Sequence, residues 1–93
     1  MGKYSINKLP SDILRDTAAN VAKIRKNKHW TQLELSERSG VSYGSIKRFE
    51  RTGKISFESL LMITEALDRL SEFETILIPN DMKRIEKLFE TRK

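Results

Sequence analysis

The chain has 93 residues, 38% hydrophobic and 33% charged, so we expect one small soluble domain with a modest core. It contains no cysteine, which excludes a disulfide framework and thiolate chemistry and favours the cytoplasm. No apolar stretch of the sequence is long enough to cross a membrane, and the N-terminus lacks the apolar block of a signal peptide.

The formal net charge is +5, and it is unevenly distributed. Between Val21 and Lys54 the sequence has nine basic and three acidic residues, whereas Ile55 to Ile78 has one basic and five acidic ones. A basic segment beside an acidic one is typical of a protein that turns one surface toward the phosphates of a nucleic acid. The alternative is that these charges only solvate helices.

The first helix is predicted from Ser11 to Asn27, because apolar residues recur there at helical spacing. Pro10 presets the backbone, Ser11 offers a capping hydroxyl and Asp12 suits the positive end of the helix dipole. We expect Asn27 to end the helix in a left-handed conformation. Trp30 comes just before the next helix, and we expect it to pack on the core rather than stack on DNA.

Two short helices are predicted next, from Gln32 to Arg38 and from Tyr43 to Arg51. Thr31 and Ser42 each precede a helix, where a hydroxyl accepts a bond from an unpaired backbone N–H. Gly40 supplies the positive φ of a sharp turn between them. Two capped helices around such a corner are typical of a helix-turn-helix, whose second helix enters the major groove of DNA.

The two faces of this unit differ in polarity. One face is apolar and turns toward a core: Leu35, Val41, Ile46 and Phe49. The opposite face is polar and basic: Tyr43, Gly44, Lys47, Arg48 and Arg51.

Ser56 is predicted to cap a helix that closes the core, and a short fifth helix is expected to start near Ser71. Residues 75–78 are either the end of that fifth helix or a short strand, because β-branched residues cluster there. After Pro79 a final amphipathic helix is predicted, with this apolar face: Met82, Ile85, Leu88 and Phe89. That face docks on a second subunit or another protein, or folds back on its own domain.

No catalytic chemistry is expected. The single histidine, His29, has no partner at metal-ligand spacing, and no cysteine or acidic cluster lies near it in sequence. The sequence contains no Ser/His/Asp arrangement, glycine-rich phosphate loop or paired buried carboxylates. We therefore expect neither an enzyme nor a bound metal or cofactor.

The motif residues resemble the Cro/CI-type (XRE) helix-turn-helix family of phage and bacterial regulators over about Val21 to Leu70. The residues that carry this resemblance are Thr31, Gln32, Leu35, Gly40, Val41, Ser42, Ile46, Phe49, Glu50 and Gly53. The resemblance implies an all-α fold, a five-helix lambda-repressor-like DNA-binding domain with an amphipathic C-terminal helix. The expected division is a flexible segment at 1–10, the DNA-binding domain at 11–78 and the C-terminal helix at 79–93.

The resemblance also implies roles for individual residues. Arg25 and Glu50 would form a partly buried ion pair between the first helix and the recognition helix. The residues expected to contact DNA bases are Tyr43, Gly44, Ser45, Lys47 and Arg48, of which Arg48 is best suited to guanine. The residues expected to contact phosphates are Thr31, Gln32, Ser42, Arg51, Thr52 and Lys54.

The function implied is a sequence-specific transcriptional repressor that binds a pseudo-palindromic operator on double-stranded DNA as a homodimer. Residues 39–67 are particularly similar to HipB-like antitoxins, which implies an autoregulated toxin-antitoxin operon and a HipA-type kinase toxin as partner. The alternatives are a phage-type repressor and a protein-interaction module that keeps the fold without binding DNA.

Overall fold

A computed structural model describes residues 8–80, and this part of the chain is all helical, with no strand. Four α-helices follow one another: α1 (Pro10–Asn27), α2 (Gln32–Ser39), α3 (Tyr43–Thr52) and α4 (Phe57–Ala66). A 3-10 turn, Leu70–Phe73, follows α4. The predicted all-α class is confirmed for the described residues. None of their helices is long and apolar enough to cross a membrane.

Helix α1 starts one residue earlier than predicted. Pro10 is its first residue and Leu9 its N-cap, so the capping role expected of Ser11 is wrong. The carboxylate of Asp12 provides the cap instead, since it accepts the Leu9 N–H at 2.9 Å. Pro10 has no N–H to satisfy, which is why it suits the first helical position.

Helix α1 ends at Asn27 as predicted, but the left-handed residue after it is not the predicted one. Asn27 is still helical, and the left-handed residue is His29, with φ 62°. The His29 N–H bonds the Lys26 carbonyl at 2.9 Å, and the Trp30 N–H bonds the Arg25 carbonyl at 3.2 Å. These two bonds make a Schellman motif, which requires the left-handed residue two positions beyond the last helical one.

The core lies between all four helices. The largest fully buried side chains come from α2, α3 and α4 with the residue after it: Leu35, Ile46, Phe49, Ile63 and Leu67. Ala18 and Val21 of α1 and Val41 of the turn complete it. Burial of each large apolar side chain contributes roughly 1.5–3 kcal/mol. Trp30 packs against this cluster as predicted.

The prediction of a fifth α-helix starting near Ser71 is wrong. Residues 70–77, where that helix is predicted, contain a 3-10 turn instead, and Phe73 of this turn packs edge-to-face on Phe57 with ring centroids 5.9 Å apart. No residue of this turn is fully buried and no side chain caps it, so a longer helix would gain little from packing. Residues 74–77 form turns rather than the alternative strand. The predicted apolar face of residues 82–89 lies outside the described part of the chain.

Candidate nucleic-acid interface

Helix α3 is held at its N-terminus by Ser42. The Ser42 hydroxyl oxygen accepts the Ser45 N–H at 3.1 Å, which confirms the predicted cap. The same hydroxyl donates its proton to the Ser45 hydroxyl oxygen at 2.8 Å. The Ser45 proton therefore remains free for an acceptor outside the domain.

A buried polar network fixes α3 from behind. Arg25 is 7% exposed, and its Nε and Nη2 donate to the two carboxylate oxygens of Glu50 at 2.8 and 3.0 Å. Its Nη1 donates to the carbonyl of Trp30 at 2.7 Å, and the amide of Gln32 donates to Glu50 at 2.8 Å. One carboxylate on α3 thus binds α1 and α2 together, in the bidentate geometry that makes Arg–carboxylate pairs specific.

A glycine in the left-handed region lies on each side of α3: one ends α2, before the turn, and the other ends α3 itself. Gly40 has φ 80° in the turn before α3, as predicted, and Gly53 has φ 85° directly after it. A Cβ on Gly53 would lie 2.9 Å from the backbone carbonyl carbon of Leu14, so α1 approaches this loop too closely for any side chain. The direction of α3 is therefore determined by backbone geometry as well as by side chains.

The outward face of α3 collects the residues proposed to read bases. They are all exposed and lie on a helix of ten residues: Tyr43, Gly44, Ser45, Lys47 and Arg48. Buried Ile46 and Phe49 lie on the opposite side. The ammonium of Lys47 is 4.9 Å from the centroid of the Tyr43 ring, a cation–π contact between adjacent turns. The described face presents two cations and no acidic residue.

The residues expected to contact phosphates differ in the protons that they have available. Thr31 accepts the Glu34 N–H at 3.0 Å, so its own hydroxyl proton is free, and Gln32 uses one amide proton on Glu50. Thr52 donates its only side-chain proton to the Arg48 carbonyl at 2.8 Å. Among the uncharged candidates, Thr31 and Gln32 therefore retain a donor, whereas the hydroxyl protons of Ser42 and Thr52 are engaged within the domain. The charged candidates Arg51 and Lys54 are both exposed.

Sequence reasoning missed several residues that shape the turn. Glu34 completes a capping box with Thr31, accepting its N–H at 2.7 Å; the Thr-x-x-Glu pattern was a readable signal. The Ser36 hydroxyl donates to the Val41 carbonyl at 2.7 Å, a contact across the turn with no local sequence signature. The Arg38 guanidinium carbon lies 4.3 Å from the Trp30 ring centroid, a contact between the last turn of α2 and the loop before it.

Outside this face, the described residues contain a cavity but no candidate metal site. They contain no cluster of three or more His, Cys, Asp or Glu residues that could hold a metal. A cavity of about 410 Å³ lies between α1, the end of α4 and the 3-10 turn, and none of its lining residues belongs to α3. His29 is exposed in the loop after α1.

A sharp turn between two capped helices, with the exposed face of the second helix basic, defines a helix-turn-helix domain. The model of the helix-turn-helix family HTH_3 matches residues 21–74, more than half of the chain. The chain therefore belongs to this family, in agreement with the Cro/CI (XRE) resemblance. The family is one of DNA-binding transcription regulators. A comparison with curated proteins finds no match.

Proposed function

We propose that this protein is a sequence-specific transcriptional repressor that inserts α3 into the major groove of double-stranded DNA. The observation that carries the proposal is the exposed basic face of α3, fixed by the buried contacts of Glu50 with Arg25 and Gln32. A helix held this way enters the groove without an ordering cost at the moment of binding. The N-terminal turns of such a helix are the part that reaches base edges.

Within this proposal the residues of α3 divide by chemistry. Arg48 reads a guanine, because its planar guanidinium matches the two acceptors at the major-groove edge. Lys47, held beside Tyr43, serves a base or a nearby phosphate. Ser45 offers its free hydroxyl proton to a base edge or a phosphate. These contacts give sequence choice, whereas contacts with the backbone do not.

The phosphate contacts come from both sides of α3. Thr31 and Gln32 at the start of α2 offer the donors that the domain leaves free, and Arg51 and Lys54 add positive charge after the reading helix. Ser42 precedes α3 and Thr52 is its last residue. Both lie where they support these contacts with the DNA backbone. Neutralising phosphates in this way supplies the sequence-independent part of the affinity.

The finer proposal is an autoregulatory antitoxin that acts as a homodimer on a pseudo-palindromic operator. It is supported by the similarity of residues 39–67 to HipB-like antitoxins, with a HipA-type kinase as the partner. Co-expression of the chain with a kinase encoded beside it should give a complex that survives gel filtration. Absence of that complex would remove the antitoxin role and leave the repressor role intact.

Two substitutions test the DNA-binding proposal. After footprinting locates a site in the protein's own promoter, Arg48→Ala should weaken specific binding by about 1–3 kcal/mol and relax the choice at one base pair. Lys54→Ala should weaken all duplexes alike and reduce the salt slope by about one. Both effects are measured by fluorescence anisotropy on matched and mismatched duplexes.

Lys23→Ala is the matched control, because Lys23 is exposed and lies on α1, beside the cavity and not on α3. It removes the same charge and should leave sequence preference unchanged. If the Arg48→Ala protein keeps the operator preference of the wild type, Arg48 does not read a base. A wild-type protein that binds no duplex favours the interaction-module alternative.

A further inference from the structure

Gly44 is the one glycine of the described residues that the fold does not require. Gly40 and Gly53 both have positive φ, and Gly53 is also pressed against the backbone of α1. Gly44 has neither constraint: it lies in the first turn of α3 without a positive φ. A methyl group there would meet no neighbouring atom within 4 Å. Its surroundings within the domain therefore leave ample room for alanine.

A glycine in a helix is also unfavourable for stability, since its backbone loses more freedom on folding than that of alanine. Because the domain offers space for a Cβ, retaining glycine here weakens α3 without a packing gain. The position is on the exposed face, between Tyr43 and Ser45. Where one residue of a helix face has no side chain and its neighbours do, the backbone can approach a ligand closely at that residue.

The dimensions of the groove make such an approach matter. An α-helix with its side chains is about 10–12 Å across and the major groove of B-DNA is about 12 Å wide, so a helix nearly fills the groove. Where one residue lacks a side chain, the backbone comes nearest to the base edges at that point. Adding even a methyl group moves the helix outward and lengthens the contacts of its neighbours, including Arg48.

We propose that Gly44 is a specificity-determining residue, at which the bare backbone of α3 lies directly against a base edge of the operator. This inference rests on the proposed DNA-binding function and adds the requirement that position 44 have no side chain. It predicts that stability and specific binding change in opposite directions when a Cβ is added. A merely structural glycine would change both in the same direction.

The test uses the full chain with Gly44→Ala and Gly44→Ser, on duplexes that the wild-type protein selects from a random pool. Gly44→Ala should raise Tm by about 2–4 °C. It should lower affinity for the selected duplex about tenfold or more, with Gly44→Ser losing at least as much, and leave low-salt affinity for random duplex within about twofold. Ser11→Ala, at the same second helical position of α1, should leave operator affinity within about twofold.

The other results overturn the inference in distinguishable ways. If Gly44→Ala binds the selected duplex as tightly as wild type, the close approach is refuted while the DNA-binding function stands. If it lowers Tm and weakens specific and random duplexes equally, Gly44 is structural. If wild type itself selects no duplex, the proposed function fails first and this inference fails with it.

Discussion

The helix-turn-helix and the segment after α4 are built very differently. In the former, Thr31 and Ser42 cap their helices by side-chain bonds, and Gly40 and Gly53 terminate them in the left-handed region. In the latter, the 3-10 turn has no side-chain cap, and Leu77 is 96% exposed with φ 58°. Side-chain hydrogen bonds therefore set the orientation of α3, whereas the side-chain bond described after α4 is the exposed one from Arg69 to Glu72.

The same kind of ion pair occurs in both regions, which makes the contrast measurable. The side chains of Arg25 and Glu50 are each 9% exposed, whereas those of Arg69 and Glu72 are 45% and 54% exposed. The hydrogen bond from Arg69 to the Glu72 carboxylate raises the pKa of Arg69, yet solvent screens that pair. The buried pair has no such screening, and each partner depends on the other for its solvation.

The largest expected effect is therefore the removal of one partner of the buried pair. Arg25→Ala should lower the free energy of unfolding by about 3–5 kcal/mol, because it leaves the Glu50 carboxylate buried with Gln32 as its remaining side-chain partner. Glu50→Ala should cost a similar amount, since it strands the Arg25 charge. Urea denaturation followed by circular dichroism measures both losses.

The matched control is Arg69→Ala, which removes an arginine from the exposed pair. We expect no measurable change in the urea midpoint, because both side chains keep their water when the pair is broken. The comparison between the regions breaks down if Arg25→Ala and Arg69→Ala prove equally mild. It is sharpened if Arg25→Met with Glu50→Leu recovers most of the stability, as replacement of a buried pair by apolar groups often does.

How far the sequence predicted this molecule depends on how local the signal is. The caps at Thr31, Ser42 and Ser56 and the turn at Gly40 were readable, because each depends on a few adjacent residues. The left-handed residue after α1 is His29, two positions beyond the predicted Asn27. His29 adopts that conformation because of backbone bonds around the helix end, and propensity favours asparagine.

The fifth helix was overpredicted for a different reason. Ser71 and Phe73 have the spacing of a cap and an inward residue, but a helix there needs an apolar surface to cover. Whether the core is already closed by Ile63 and Leu67 is a tertiary fact that no local pattern records. In the same way, which hydroxyl protons remain free for an acceptor outside the domain, as at Ser45, depends on contacts visible only in three dimensions.

A smaller effect is expected for the two left-handed glycines that end α2 and α3, whose substitutions should lower stability by different amounts. Gly53→Ala should cost about 2–4 kcal/mol, because a positive φ is combined with a clash against the rigid backbone of Leu14. Gly40→Ala should cost about 1–2 kcal/mol, since its Cβ would meet only the methyl end of the Met62 side chain at 3.3 Å. Thermal unfolding of the two variants side by side measures the difference; a larger loss for Gly40→Ala would contradict this geometry.

The most direct test of the central claim is the affinity of the wild-type chain for duplex DNA as a function of salt, measured on its own upstream region. If α3 and its flanks neutralise about four phosphates per domain, the affinity should fall between 50 and 200 mM salt by about a hundredfold for a single domain and by about 10⁴-fold for a dimer. A selective site should remain detectable above random duplex at every salt concentration. Affinity that is absent, or that does not change with salt, would contradict the account of α3 as a helix presented to the major groove.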